Sequence, residues 1–114
     1  YTPKKDKHSI EKEVCRSVSW KVARGRRFKE KEPLDIRIIA YYPIPQSTSK
    51  KRRKEMLEHR IRPTVKPDLD NVAKLIYDAL NGVAWYDDNA IVDTQVRKFY
   101  SDTPRVDVFI RAVE

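Results

Sequence analysis

Between Leu34 and Tyr42 the apolar residues fall on every second position: Leu34, Ile36, Ile38, Ala40 and Tyr42. Successive strand residues point to opposite faces, so this spacing predicts a strand with one face buried and the other open. Pro43 and Pro45 stop it, because proline cannot donate to a sheet ladder. A half-buried strand needs partner strands beside it and an apolar layer above it. The other segments supply both.

From Ile10 to Ala23, Ile10, Val14, Val18 and Val22 recur every four residues, flanked by Cys15 and Lys21, which predicts an amphipathic helix packed on the sheet. Ser9 is its expected N-cap and Gly25 its end. A weaker helix is expected from Ser49 to His59, with Met56 and Leu57 as its only apolar contacts. Asn71 to Leu80 is the clearest helix: Val72, Leu75, Ile76, Ala79 and Leu80 form its stripe, Asp70 caps the start and Gly82 closes the end. After the turn residues Asp87-Asp88-Asn89, two strands are expected at Ile91 to Tyr100 and Arg105 to Val113, the second with Val106, Val108, Ile110 and Ala112 on one face. Ser101-Asp102-Thr103-Pro104 suits a hairpin between them. The expected fold is α+β, a single domain over residues 1–114 with one mixed β-sheet and helices packed on one face. With 39% hydrophobic and 37% charged residues the core is modest, and a homodimer interface would bury what one copy cannot.

The formal net charge is +8, which favours polyanionic partners because each neutralised phosphate releases condensed counterions. Composition alone leaves nucleic acid, anionic membrane and acidic protein open, with nucleic acid favoured. Cys15 is the only cysteine, which excludes an internal disulfide, and His8 and His59 are too few for a structural zinc site. Without a long apolar run or a signal-peptide pattern, the expectation is a cytoplasmic protein with no membrane partner.

The segment Lys66-Pro67-Asp68-Leu69-Asp70-Asn71 carries the most chemistry. If it is extended, Asp68 and Asp70 point the same way at the mouth of a helix while Leu69 faces the core. Two such carboxylates repel unless a cation lies between them, and Mg²⁺ is the hard, oxygen-seeking ion that takes one or two carboxylates and leaves room for water and phosphate. A third carboxylate from Asp87 or Asp88 can complete the shell if the chain turns back after Gly82. Lys74, four residues after Asp70 on the same helix face, can hold a scissile phosphate, stabilise charge or protonate a leaving oxygen. Each piece also has a plainer explanation: Asp70 as a cap, Asp70–Lys74–Asp78 as a surface ladder, Asp87-Asp88-Asn89 as a turn.

Lys66 to Lys74, then Asp78-Ala79-Leu80-Asn81-Gly82-Val83, then Asp87 to Val92, together with the Pro43 to Arg53 segment and Lys98-Phe99-Tyr100, strongly resemble the RusA family of Holliday junction resolvases of bacteria and their prophages. The resemblance implies a homodimeric endonuclease that binds branched DNA at four-way junctions and nicks two strands symmetrically with Mg²⁺, or with Mn²⁺ in its place, in DNA recombination and repair. It places the essential metal-binding aspartates on Asp68, Asp70 and Asp88 and the catalytic lysine on Lys74, with Asp87 as a secondary candidate. Family members usually carry a first strand and a basic stretch before the position of Tyr1, so the expected domain lacks that strand.

Two basic runs can clamp phosphates: Arg24, Arg26, Arg27 and Lys29, and Lys50, Lys51, Arg52, Arg53 and Lys54; Lys66 stands beside the acidic segment. Phe28 can wedge into a junction or pack inside, while Trp20, Trp85, Tyr41 and Tyr42 read as core or interface residues. A non-catalytic module for branched DNA and a basic protein–protein adaptor are the competing functions.

Overall fold

The computed structural model describes residues 18–22 and 28–113. In chain order the elements are β1 (Val18–Val22), β2 (Leu34–Pro43), α1 (Lys50–Leu57), α2 (Leu69–Leu80), a short 3-10 turn (Asp88–Ala90), β3 (Ile91–Ser101) and β4 (Arg105–Ala112). The strands form one mixed sheet in the order β1-β4-β2-β3. β2 runs antiparallel to β4 and parallel to β3, and β1 runs parallel to β4. A parallel pair needs a long crossover, and residues 44–90 provide it with α1 and α2.

The alternation in β2 governs the packing. Leu34, Ile36, Ile38, Ala40 and Tyr42 are each no more than 1% exposed, and they share one apolar cluster with Val106, Val108 and Ile110 of β4 and Tyr100 of β3. Met56 of α1 and Val72, Ile76 and Leu80 of α2 join the same cluster. Full burial of an aliphatic side chain contributes about 1.5–3 kcal/mol, so the three α2 residues hold that helix down more firmly than helix propensity does. Phe28 is in this core too, which makes packing its role rather than wedging into a junction. Tyr42 and Trp85 are buried as expected, whereas Tyr41 is half-buried, with the Arg105 guanidinium 4.0 Å above its ring.

Several expectations need correction. Val18–Val22 is a strand and not the end of a helix. Val18, Trp20 and Val22 also alternate, and β-branched and aromatic residues favour the pleated edge position beside β4 over a helix. The remainder of the expected Ile10–Ala23 helix, with Ser9, Cys15 and Gly25, lies outside the described residues. The hairpin between the last two strands is also absent, because β2 lies between β3 and β4. β2 has the complete apolar face and takes the centre, while β3, exposed from Val92 to Gln95, takes the edge. The α2 stripe is narrower than expected: Val72, Ile76 and Leu80 are buried, Leu75 is half-buried and Ala79 is exposed. In α1 only Met56 is buried, and Leu57 is 40% exposed. No helix among the described residues is long and apolar enough to cross a membrane.

Candidate functional site

The acidic segment sits at the head of α2. Asp68 is the N-cap, in extended conformation (φ −68°, ψ 163°), and its side chain makes no capping hydrogen bond. Asp70 lies in the first helical turn, so the cap is Asp68 and the helix begins two residues earlier than the sequence pattern places it. That early start gives Leu69 a helical position and turns it outward, 44% exposed, instead of into the core. Asp68 and Asp70 are both exposed, and negative charge is favoured at this end of a helix by its dipole. Lys74 is exposed one turn further along, and it closes no ion pair with Asp70 or Asp78.

The segment before Asp68 is tied to the sheet at three points. The Tyr42 hydroxyl of β2 donates to the carbonyl of Pro67. The Lys98 ammonium of β3 donates to the carbonyl of Val65 at 2.6 Å and lies 4.9 Å from the centre of the Tyr42 ring. Arg62 Nε donates to the carbonyl of Lys98 at 3.0 Å, and its guanidinium stacks 4.4 Å from the Phe99 ring. Burial pulls the Lys98 ammonium below the usual lysine range, and the Asp68 carboxylate acts the other way. Asp68 therefore stands within electrostatic reach of Lys98.

Asp87 and Asp88 occupy the turn before β3 and have different partners. Asp87 caps the 3-10 turn, its Oδ1 accepting from the Asn89 N–H at 3.1 Å. Asp88 is half-buried, and its Oδ1 accepts from the indole N–H of Trp85 at 2.7 Å. Trp85 is 3% exposed, its ring is edge-on to Tyr77, and its backbone carbonyl accepts from the Gly82 N–H at 2.7 Å. Gly82 has φ +77°, a left-handed conformation that suits glycine and lets the chain reverse after α2. Trp85 thus fixes the turn that presents Asp88.

The chain does not bring these carboxylates into one cluster. Among the described residues no group of three His, Cys, Asp or Glu side chains is placed to hold a metal ion. The expected return of Asp88 to the head of α2 fails because the turn lies at the other end of that helix. α2 has 12 residues and rises about 18 Å. Asp88 precedes Ile91, the first residue of β3, while the Asp68 side meets Lys98, seven strand residues and about 23 Å further along. In donor chemistry the acidic residues suit Mg²⁺: exposed carboxylate oxygens at Asp68 and Asp70, the first of them not consumed by capping. The fit within one chain stops at those two.

The basic residues belong to several elements. α1 starts at the Ser49 cap, whose Oγ accepts from the Arg52 N–H at 3.3 Å, and it exposes Lys50, Lys51, Arg52, Arg53 and Lys54. Arg53 is ion-paired with Asp102, which ties α1 to the β3–β4 connection. Lys29 and Lys66 are exposed, and Arg24, Arg26 and Arg27 lie outside the described residues. Sequence reading missed Trp85 as the hydrogen-bond partner of Asp88, and Tyr42 and Lys98 as anchors of the loop before α2. The one available signal was that a buried Trp needs an acceptor for its N–H, with Asp88 three residues away.

Comparison with known proteins bears on the same segments. A family model described as endodeoxyribonuclease RusA matches residues 1–111. An uncharacterized protein of Bacillus subtilis (strain 168), YqaN, is 45% identical over 83 residues, covering 71% of this chain and 58% of that protein. The chain thus spans less than two thirds of the length of that relative. No solved structure matches the chain significantly.

Proposed function

The chain belongs to the RusA family of endodeoxyribonucleases, and from that premise we propose that it is a divalent-metal-dependent endonuclease that resolves four-way DNA junctions. The observation that carries this reading is the coincidence of the family match with two exposed carboxylates at the head of α2, in a chain of net charge +8. The cytoplasm, where chromosomal and phage DNA lie, is the compartment this substrate implies.

In this reading Asp68, Asp70 and Asp88 hold Mg²⁺, with Mn²⁺ as a substitute and Asp87 in the lesser role of a turn cap. Bound there, the ion would act as a Lewis acid on the scissile phosphate and lower the pKa of an attacking water. Lys74, one turn from Asp70, neutralises charge developing on the phosphate or supplies a proton to the leaving oxygen. Lys50, Lys51, Arg52 and Lys54 on α1, with Arg53, Lys29 and Lys66, hold neighbouring phosphates, and Arg24, Arg26 and Arg27 are given the same role from their charge alone.

The separation along α2 bears on the assembly. One chain presents Asp68 and Asp70 at one end of the helix and Asp88 beyond the other. Two copies related by a two-fold axis, with their α2 helices antiparallel, would set the Asp88 of each beside the Asp68 and Asp70 of the other. Such a homodimer has two identical sites, as paired symmetric nicks require. A non-catalytic binder of branched DNA is the second reading, favoured by the failure of three carboxylates to gather within one chain.

A labelled synthetic four-way junction, incubated with the protein with and without Mg²⁺ beside a linear duplex of the same sequence, separates the two. Nicks confined to the junction and to the Mg²⁺ samples support the nuclease. Tight junction binding with no nick at any Mg²⁺ or Mn²⁺ concentration rejects it for the second reading.

A further inference from the structure

Lys98 is joined by hydrogen bonds at both its side chain and its backbone to the loop that precedes the acidic segment. It belongs to β3, pairs across the sheet with Ala40, and reaches over the Tyr42 ring to the loop that leads into α2. Its ammonium donates to the Val65 carbonyl, two residues before the Pro67 carbonyl that the Tyr42 hydroxyl holds. Its own backbone carbonyl accepts from Arg62, at the start of the same loop. Pro63 and Pro67 are buried, so the loop is pinned at both ends of a short span with Lys66 turned outward between them. The residue that leaves this span is Asp68.

We propose that Lys98 is a positioning residue for Asp68, its ammonium fixing the Val65–Pro67 span so that the Asp68 carboxylate is presented at the head of α2. An extended cap residue whose side chain makes no capping bond is held only by its backbone, so the direction of its carboxylate follows the loop before it. A charged donor suits this task, because a hydrogen bond from an ammonium to a carbonyl is stronger than a neutral one. The positive charge also lies within electrostatic reach of the Asp68 carboxylate. Outer partners that orient a metal-binding carboxylate commonly change metal affinity or activity by about 10–100-fold when removed. This inference rests on the reading of Asp68 as a metal ligand.

The test uses the full chain with Lys98→Met, Lys98→Arg, Tyr42→Phe and Asp68→Asn. Three quantities are read: amide hydrogen exchange of the Arg62–Asp68 segment without metal, the Mg²⁺ concentration at half-maximal nicking, and junction affinity in Ca²⁺. Lys98→Met is expected to speed exchange in that segment and raise the Mg²⁺ requirement by about 10–100-fold with junction affinity unchanged. Lys98→Arg, which keeps a charged donor, recovers most of both, and Tyr42→Phe shifts them in the same direction by less. Should Lys98→Met fail to fold, the arginine and Tyr42 variants decide by the same readings. Unchanged exchange and Mg²⁺ requirement in the folded variants overturn the proposal. So does a loss of junction affinity alone, which would make Lys98 a phosphate contact. Asp68→Asn tests the parent reading: if it nicks normally, Asp68 is no ligand, whatever the Lys98 variants do.

Discussion

Asp87 and Asp88 are adjacent and chemically identical, yet their neighbours divide their work. Asp87 caps a turn through the Asn89 N–H, and Asp88 receives the Trp85 indole. Asp87→Ala should therefore cost about 1 kcal/mol in thermal unfolding and leave junction nicking close to normal. Trp85→Phe keeps most of the apolar packing but removes the donor. It is expected to lose about 1 kcal/mol of stability and to slow single-turnover nicking by about 10–100-fold. If Asp87→Ala is the inactive variant and Trp85→Phe nicks at the normal rate, the assignment within the pair is reversed. None of this difference is visible in the letters Asp-Asp, because a cap and an indole acceptor are distinguished only by where the turn directs each carboxylate.

Among the elements, α2 carries the acidic pair, so its attachment decides whether the site exists. Ile76 is fully buried between Val72 and Leu80, and Ile76→Ala should lower stability by about 2–5 kcal/mol, read as a lower urea midpoint at unchanged slope. α1 is attached by Met56 and by the Arg53–Asp102 pair, and its other cations face outward. Replacing Lys50, Lys51, Arg52 and Lys54 by Ala keeps a good helix former at each position. It should flatten the salt dependence of junction binding by about 0.9 in log–log slope for each phosphate that is no longer neutralised. An unchanged slope would move the DNA surface elsewhere. β2, α2 and β4 were legible from periodicity because their apolar residues are buried on one side only. Val18–Val22 was not, since its valines fit period two and period four alike and only pairing with β4 chooses between them. The hairpin failed for a related reason: sequence nearness of β3 and β4 says nothing about β2, which enters between them. Asp68 and Asp70 were legible as a pair at a helix head, but the cap is Asp68, because its extended backbone is followed at once by helical Leu69, and the apolar stripe that marks the helix in sequence begins only at Val72.

For the whole molecule, the distance along α2 is the consequential quantity. A chain of 13.5 kDa that places Asp68 and Asp70 at one end of a helix and Asp88 beyond the other should act as a dimer, with about twice that mass in sedimentation. The shared arrangement has a direct test in mixing two variants, Asp68→Asn and Asp88→Asn, co-expressed with different tags and purified as the mixed pair. In such a pair both defects fall in one site and the other site is intact. Each variant alone should fail to nick a four-way junction in Mg²⁺ while still binding it, and the mixed pair should regain nicking of one strand per junction. A single variant that nicks at the normal rate, or a mixed dimer that stays silent, would contradict the account.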